Sequence, residues 1–103
     1  MKIINNFEGH MIRLTDERMK HILLHSEMKE FKSEIEDTIR NPQYIIQSMA
    51  DKKVKHYLKF YITKQFSGKY LCVVVKFLED DAFIITSYLI RELLKGEIIW
   101  HKN

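Results

Sequence analysis

Cysteine, proline and glycine are all scarce in this chain of 103 residues. Cys72 is the only cysteine, which excludes an internal disulfide and fits the reducing cytoplasm. Because Cys72 lies in an apolar run, a packed thiol is favoured over a nucleophile. With one proline and three glycines, no segment has the composition of a linker. We therefore expect a single domain over residues 1–103.

Long apolar runs are also missing. No run reaches the roughly 18 residues that a membrane helix needs, and the first residues lack the apolar core of a signal peptide. Glycine-rich phosphate loops, GxSxG turns, paired cysteines and zinc-finger spacings are absent too. The sequence thus disfavours a membrane partner, a nucleotide cofactor, an α/β-hydrolase and a zinc finger.

Acidic residues are absent from residues 52–76, although the net charge of the whole chain is only +3. This stretch holds seven lysines: Lys52, Lys53, Lys55, Lys59, Lys64, Lys69 and Lys76. Five acids are concentrated instead in residues 27–37. Such segregation attracts a polyanion such as RNA. The alternative is that strand lysines only protect a sheet edge from aggregation.

The hydrophobic pattern predicts helices before strands. Thr15 is expected to cap a first helix that runs to about residue 25. A second helix is predicted over residues 27–40, where apolar residues recur at helical spacing and Pro42 follows.

Extended segments surround these helices. Short extended pieces are expected at 3–7 and 10–14, longer strands at 44–50, 56–64, 70–78 and 82–89, and a last piece at 98–100. A turn is predicted at Ser67 and Gly68, and a short helical turn at residues 91–95. The expected fold is α+β, with two N-terminal helices packed on one face of a roughly four-stranded antiparallel sheet.

Strand alternation divides the side chains between two sheet faces. The helix-facing side is predicted to carry Leu58, Phe60, Ile62, Leu71, Val73, Val75, Phe77, Phe83, Ile85 and the small Ser87. The opposite side is predicted to carry Tyr57, Lys59, Tyr61, Tyr70, Lys76, Thr86 and Tyr88. Aromatic rings between cations suit stacking on bases and contact with phosphates. Ordinary cross-strand pairing on a solvated face is the alternative.

The first helix carries a second polar group, formed by Arg18, His21 and His25. Histidines four residues apart lie on one side of a helix, where they could transfer protons or bind a metal. No HExxH motif or suitably spaced acid or cysteine completes a metal site, so none is expected. The alternative is that they are ordinary surface histidines, which is also the interpretation for His10, His56 and His101.

Four segments, in this order, resemble one protein family. They are residues 14–28 around Arg18, His21 and His25; residues 68–76 with the sequence GKYLCVVVK; residues 83–88 with FIITSY; and residues 95–100 with KGEIIW. They are similar to the phage-type branch of the barnase–EndoU–colicin–RelE-like nucleases. Ser26 replaces a proline of the family pattern, and Ser87 replaces a small alanine.

The resemblance implies two helices on a four-stranded antiparallel sheet and metal-independent cleavage of RNA, often by a toxin with a cognate antitoxin. Its implied catalytic residues are His25 as base or acid, Lys76 for phosphate charge, Thr86 as hydrogen-bond donor and Tyr88 for positioning or proton transfer. Arg18, His21, Tyr57, Lys59, Tyr61 and Arg91 are the expected substrate-binding residues. A non-catalytic RNA-binding or protein-interaction module on the same fold is the alternative.

Overall fold

The computed structural model describes residues 1–62 and 68–103. The strands are β1 (Lys2–Asn5), β2 (Met11–Leu14), β3 (Tyr44–Gln47), β4 (Val54–Tyr61), β5 (Lys69–Leu78), β6 (Asp81–Ile90) and β7 (Ile98–His101). The helices are α1 (Asp16–Leu23), a 3-10 helix (Ser26–Phe31) and α2 (Lys32–Arg40). The end of the predicted strand 56–64, Lys64 and the predicted turn residue Ser67 lie outside the described residues.

One seven-stranded sheet runs in the order β1-β2-β6-β5-β4-β3-β7. The expected α+β class is correct. The expected arrangement of about four strands after two N-terminal helices is wrong in detail, because the sheet has seven strands and two of them precede the helices. The meander from β3 to β6 corresponds to the four strands that were predicted. The β1–β2 hairpin precedes the helices and joins β6 through a parallel contact between Arg13 and Phe83, while β7 pairs with β3. Such distant pairings leave no local pattern in the sequence.

The helices begin close to their predicted positions. The Thr15 hydroxyl accepts a hydrogen bond from the backbone N–H of Arg18 at 3.1 Å, as expected of an N-cap. Helix α1 ends at Leu23, two residues before the predicted end. The predicted second helix is divided at Phe31 into the 3-10 helix and α2. No helix among the described residues is long and apolar enough to cross a membrane.

Apolar side chains cover both faces of the sheet. The helix-facing core joins Ile22, Met28, Phe31, Ile35 and Ile39 to the strand residues Ile45, Tyr57, Leu71, Val73, Val75 and Ile84. A smaller cluster on the outer face contains Ile46, Val54, Leu58, Cys72 and Val74. Hydropathy therefore could not show which face of β4 meets the helices.

Residues 91–97 cross the outer face to connect β6 with β7. Leu93 and Leu94 pack on the outer cluster, and the Gln47 N–H donates to the Glu97 carbonyl at 2.9 Å. Gly96 has a φ of 139°, and a Cβ there would lie 2.7 Å from the Gln47 carbonyl oxygen. The link is thus held by packing and close backbone approach, and the helical turn predicted at 91–95 is wrong.

Candidate functional site

Four polar side chains surround Val74 on the outer face, and we refer to them as the outer polar cluster: His56, Lys76, Thr86 and Tyr88. His56 on β4 and Thr86 on β6 both pair with Val74 of the strand between them. Lys76 lies two residues after Val74 on β5. Tyr88 lies two residues after Thr86 on β6, which runs antiparallel to β5, so Lys76 and Tyr88 lie in opposite directions from Val74. Because alternate residues of a strand share a face, all four side chains project from the same side of the sheet.

A β-bulge sets the direction of Thr86. The register between β5 and β6 shifts at Val74 and Val75, so Val74 pairs with Thr86 while Val75 pairs with Ile84. The extra residue, Ile85, packs on the outer cluster, and Phe83 pairs with the outer-face Lys76. The predicted helix-facing positions of Phe83 and Ile85 are therefore wrong, because a bulge changes the alternation.

His56 is the member that sequence reasoning missed. Its Nδ1 lies 3.6 Å from the Cys72 Sγ, and within residues 1–62 and 68–103 its Nε2 has no hydrogen bond. Partial burial lowers the pKa of His56 below its ordinary 6.5. Near neutral pH the His56 imidazole is therefore neutral, and its Nε2 is available for a hydrogen bond. Its alternation with Val54 and Leu58, both in the outer apolar cluster, was the available signal.

Tyr88 and Cys72 stay protonated near neutral pH. Burial raises the pKa of the Cys72 thiol to about 12, so Cys72 is a packed thiol as predicted. Burial likewise raises the pKa of Tyr88, and the charge and the hydrogen bond of the neighbouring Cys72 add to this. Tyr88 is consequently a protonated phenol whose hydroxyl is hydrogen-bonded to Cys72.

Lys76 brings positive charge to one end of the cluster. Its Nζ lies 3.4 Å from the Asp51 Oδ2. The hydrogen bond from the Lys53 backbone N–H has the largest effect and holds the pKa of Asp51 below its usual value; desolvation opposes it, and Lys76 adds to the lowering. An ammonium has three donors, so the contact with Asp51 leaves Lys76 able to meet a phosphate oxygen.

Three expected substrate-binding residues lie on the helix side instead. Tyr57 is 1% exposed, and its hydroxyl accepts a hydrogen bond from the Asn6 side chain at 3.1 Å. The Tyr61 hydroxyl donates to Asp37 at 2.7 Å, and Lys59 contacts the same carboxylate at 2.6 Å. The prediction that Tyr57, Lys59 and Tyr61 share the open face with Lys76 is thus wrong. Their polar groups hold α2 and the β1–β2 hairpin to the sheet.

The remaining predicted residues lie outside the strands that carry the outer polar cluster. Arg18 and His21 are exposed on α1, which packs beside β6. His25 follows the helix with extended backbone, at φ −80° and ψ 111°, so His21 and His25 are not stacked on consecutive turns. Its neighbours Ile22 and Met28 are buried in the helix-facing core. Arg91 is exposed at the start of the link between β6 and β7.

No hydrogen bond or ion pair within the described part of the chain joins the His25 side chain to Lys76, Thr86 or Tyr88. His25 therefore belongs to the helical layer, whereas Lys76, Thr86 and Tyr88 share the outer face of the sheet with His56. In the same described ranges, no group of three or more His, Cys, Asp or Glu side chains could hold a metal ion.

Two of the surface depressions among the described residues lie on opposite faces of the sheet. One is a groove between β1, α1 and α2, lined by Lys2, Met19, Lys29, Lys32 and Glu36 among others. The other lies on the outer face at the end of the sheet and is lined by Gln43, Tyr44, Phe60, Tyr70, Lys102 and Asn103. The second lies on the same face of the sheet as the outer polar cluster.

Searches of curated proteins and of solved structures found no match. A family model, described as phage-Barnase-EndoU-ColicinE5/D-RelE like nuclease2, matches residues 2–101. Nearly the whole chain is covered, including every strand and helix described above. The protein belongs to the phage-Barnase-EndoU-ColicinE5/D-RelE like nuclease2 family, a family of nucleases whose substrate is nucleic acid.

Proposed function

We propose that the protein is a metal-independent endoribonuclease that uses its outer polar cluster. The observation that carries this proposal is the arrangement around Val74 of a neutral imidazole, an ammonium, a hydroxyl and a protonated phenol. Together they supply a base, positive charge, a hydrogen-bond donor and an acid. These are the groups that cleavage of RNA by its own 2′-hydroxyl requires.

The spacing suits a phosphodiester. Neighbouring strands lie about 4.8 Å apart, so His56 and Thr86, which flank Val74, begin roughly 10 Å apart. An imidazole and a hydroxyl projecting from these positions leave room for one phosphate group between them. Lys76 is two residues from Val74, about 7 Å along the strand, and its long side chain reaches the same space.

The reaction follows from these positions. His56 Nε2 takes the proton of a ribose 2′-hydroxyl while the 2′ oxygen forms a bond to the adjacent phosphorus. Lys76 and the Thr86 hydroxyl stabilise the charge on the non-bridging oxygens. The bond from phosphorus to the 5′ oxygen breaks, and Tyr88 donates the proton that the leaving oxygen needs. The products are a 2′,3′-cyclic phosphate and a free 5′-hydroxyl.

His25 is the competing candidate for the base. The family resemblance favours it, whereas its place in the helical layer separates it from the other three groups. Arg18, His21 and Arg91 are exposed cations or imidazoles that would guide the RNA backbone towards β6. His56 takes precedence because it shares a sheet face with the phosphate-binding groups.

The proposed setting is a toxin of a phage conflict or toxin–antitoxin system that acts on cytoplasmic RNA. The phage designation of the family and the lone, buried cysteine support it. An antitoxin would be expected to cover the outer face. A small acidic protein encoded next to the gene would support this setting.

The test is RNA cleavage by the purified protein in EDTA, with matched lysine variants. Lys76 and Lys59 each pair with one aspartate, but they project from opposite faces of the sheet. We expect wild type to leave 2′,3′-cyclic ends, Lys76→Met to cleave about 100- to 1,000-fold more slowly, and Lys59→Met to match wild type. The loss in Lys76→Met should be in rate more than in RNA affinity.

Three results would contradict the proposal. Cleavage only after a divalent metal is added would show a different mechanism. Intact RNA in the presence of salt-dependent binding would leave a non-catalytic RNA-binding module, and intact RNA without binding would leave a protein-interaction module.

A further inference from the structure

The outer face carries an aromatic pocket beside the proposed cleavage site. We use this name for the depression lined by Gln43, Tyr44, Phe60, Tyr70, Lys102 and Asn103. It is formed where β3, β4 and β5 meet the end of the chain, because the Lys102 N–H donates to the Gln43 carbonyl at 2.9 Å. The three rings come from three neighbouring strands.

The rings contact one another by their edges. The ring centroids of Phe60 and Tyr70 are 5.0 Å apart with an interplanar angle of 69°, and those of Tyr44 and Tyr70 are 6.4 Å apart at 70°. An edge-to-face contact occupies one face of one ring only. Tyr44 and Tyr70 are only partly buried, so part of their ring surface remains open to another planar group. Phe60 is also 37% exposed, so this surface reaches solvent.

Polar groups border the rings. The Gln43 side-chain oxygen accepts a hydrogen bond from the Phe60 N–H at 2.8 Å. This bond fixes the amide group and leaves its NH2 group as a donor at the border of the pocket. Lys102 is exposed and contributes positive charge. A planar apolar surface with an amide donor and a cation matches the chemistry of a nucleobase followed by a phosphate.

The pocket is also within reach of the outer polar cluster. Tyr70 precedes Val74 by four residues of β5, about 13 Å along the strand. Each strand of a stacked duplex rises about 3.4 Å per nucleotide, so an RNA strand with the same rise needs at least about four nucleotides to cover this distance.

We propose that the aromatic pocket is a subsite for an unpaired nucleobase of the RNA strand, a few nucleotides from the bond that is cleaved. The inference rests on the proposed nuclease function, because the RNA strand in the pocket is taken to be the substrate of that nuclease. Tyr70 stacks on the base and Lys102 meets the neighbouring phosphate. The pocket thus selects single-stranded over duplex RNA, because paired bases cannot enter it.

Binding of a short 2′-O-methyl RNA tests this inference without cleavage, because its blocked 2′ oxygen cannot attack. The measurement is fluorescence anisotropy against an abasic strand of the same length. Wild type is expected to prefer the strand with bases. Tyr70→Leu should weaken its binding about 5- to 150-fold, while binding of the abasic strand stays the same.

Two variants serve as controls. Tyr70→Phe retains the ring and should bind like wild type. Phe7→Leu removes an exposed ring that packs on Trp100 outside the pocket, and it should leave binding unchanged. Tyr44→Leu repeats the test at a second pocket ring if Tyr70→Leu has a lower melting temperature than wild type.

The outcomes separate this inference from the proposed function. Active RNA cleavage with equal binding of both strands, or with no effect of Tyr70→Leu and Tyr44→Leu, would overturn the base subsite and leave the nuclease intact. Base-dependent binding that Tyr70→Leu removes, in a protein that leaves RNA uncut, would support the subsite while the catalytic proposal fails.

Discussion

The two faces of the central sheet use the same residue types differently. On the helix side, Tyr57, Lys59 and Tyr61 are all bonded to partners on other elements, and these bonds fix the helices and the hairpin. On the outer side, His56 and Thr86 flank Val74, and their polar groups are only partly used. Groups already bonded to protein stabilise the fold, whereas groups with free donors or acceptors are available to a substrate.

The contrast is sharpest between consecutive residues of β6. Ser87 is 1% exposed, and its hydroxyl donates to the Cys72 carbonyl at 2.8 Å. Thr86, one residue earlier, projects from the opposite face and is half-buried. Two hydroxyls side by side in the sequence thus have different roles, one in packing and one in the proposed site.

Exchanging these two hydroxyls for apolar groups should give a large difference between the two faces. Thr86→Val keeps the shape of the side chain but removes a donor to the phosphate, so RNA cleavage should slow about 100- to 1,000-fold. Ser87→Ala should leave the rate within a few-fold and lower the free energy of unfolding by about 1 kcal/mol. Initial cleavage rates and urea denaturation measure the two effects. Equal rates for both variants would remove the distinction between the faces.

The tyrosines provide the next comparison. Tyr57→Phe leaves the buried Asn6 amide without its partner, so the free energy of unfolding should fall by about 1–3 kcal/mol with little change in cleavage. Tyr88→Phe should slow cleavage and destabilise the fold less, because Tyr88 is only half-buried. The measurements are urea denaturation curves and cleavage rates. A Tyr57→Phe variant with unchanged stability and impaired cleavage would place the substrate on the helix side of the sheet and contradict the proposed site.

The pH dependence gives a smaller and more specific effect. Burial lowers the pKa of His56 below 6.5, so the cleavage rate should rise with pH to a midpoint below 6.5 and then level off. Because the unfolded chain binds this proton more readily, stability should also fall as the pH drops below 6.5. The cleavage rate of His56→Ala should lack this acidic limb. If the cleavage rate of His56→Ala still fell at acidic pH as in wild type, the titrating group would be a residue other than His56.

Local patterns predicted the central part of the fold. The Thr15 cap, the apolar spacing in residues 27–40 and the long apolar run in β5 each specify their element through neighbouring residues. The parallel contact of β2 with β6, the pairing of β7 with β3 and the crossing of residues 91–97 join distant segments. Short strands at sheet edges carry too few residues to show which partner they have.

The candidate site was also predicted only in part, because local alternation shows some of its residues and distant contacts determine the others. Lys76, Thr86 and Tyr88 share a face because alternation along β5 and β6 places them there. Tyr57 was assigned to the wrong face because β4 has apolar clusters on both sides, and its bond to Asn6 comes from a hairpin far away in the sequence. His56 was missed with it, since the two are adjacent residues of one strand.

The most direct test of the account compares two histidines. Initial rates of RNA cleavage in EDTA would be measured for wild type, His56→Ala and His25→Ala at one RNA concentration. If the outer polar cluster carries the chemistry, His56→Ala should be about 100- to 10,000-fold slower and His25→Ala within a few-fold of wild type. A slow His25→Ala beside a fully active His56→Ala would contradict the account and move the proton transfer to the helical layer.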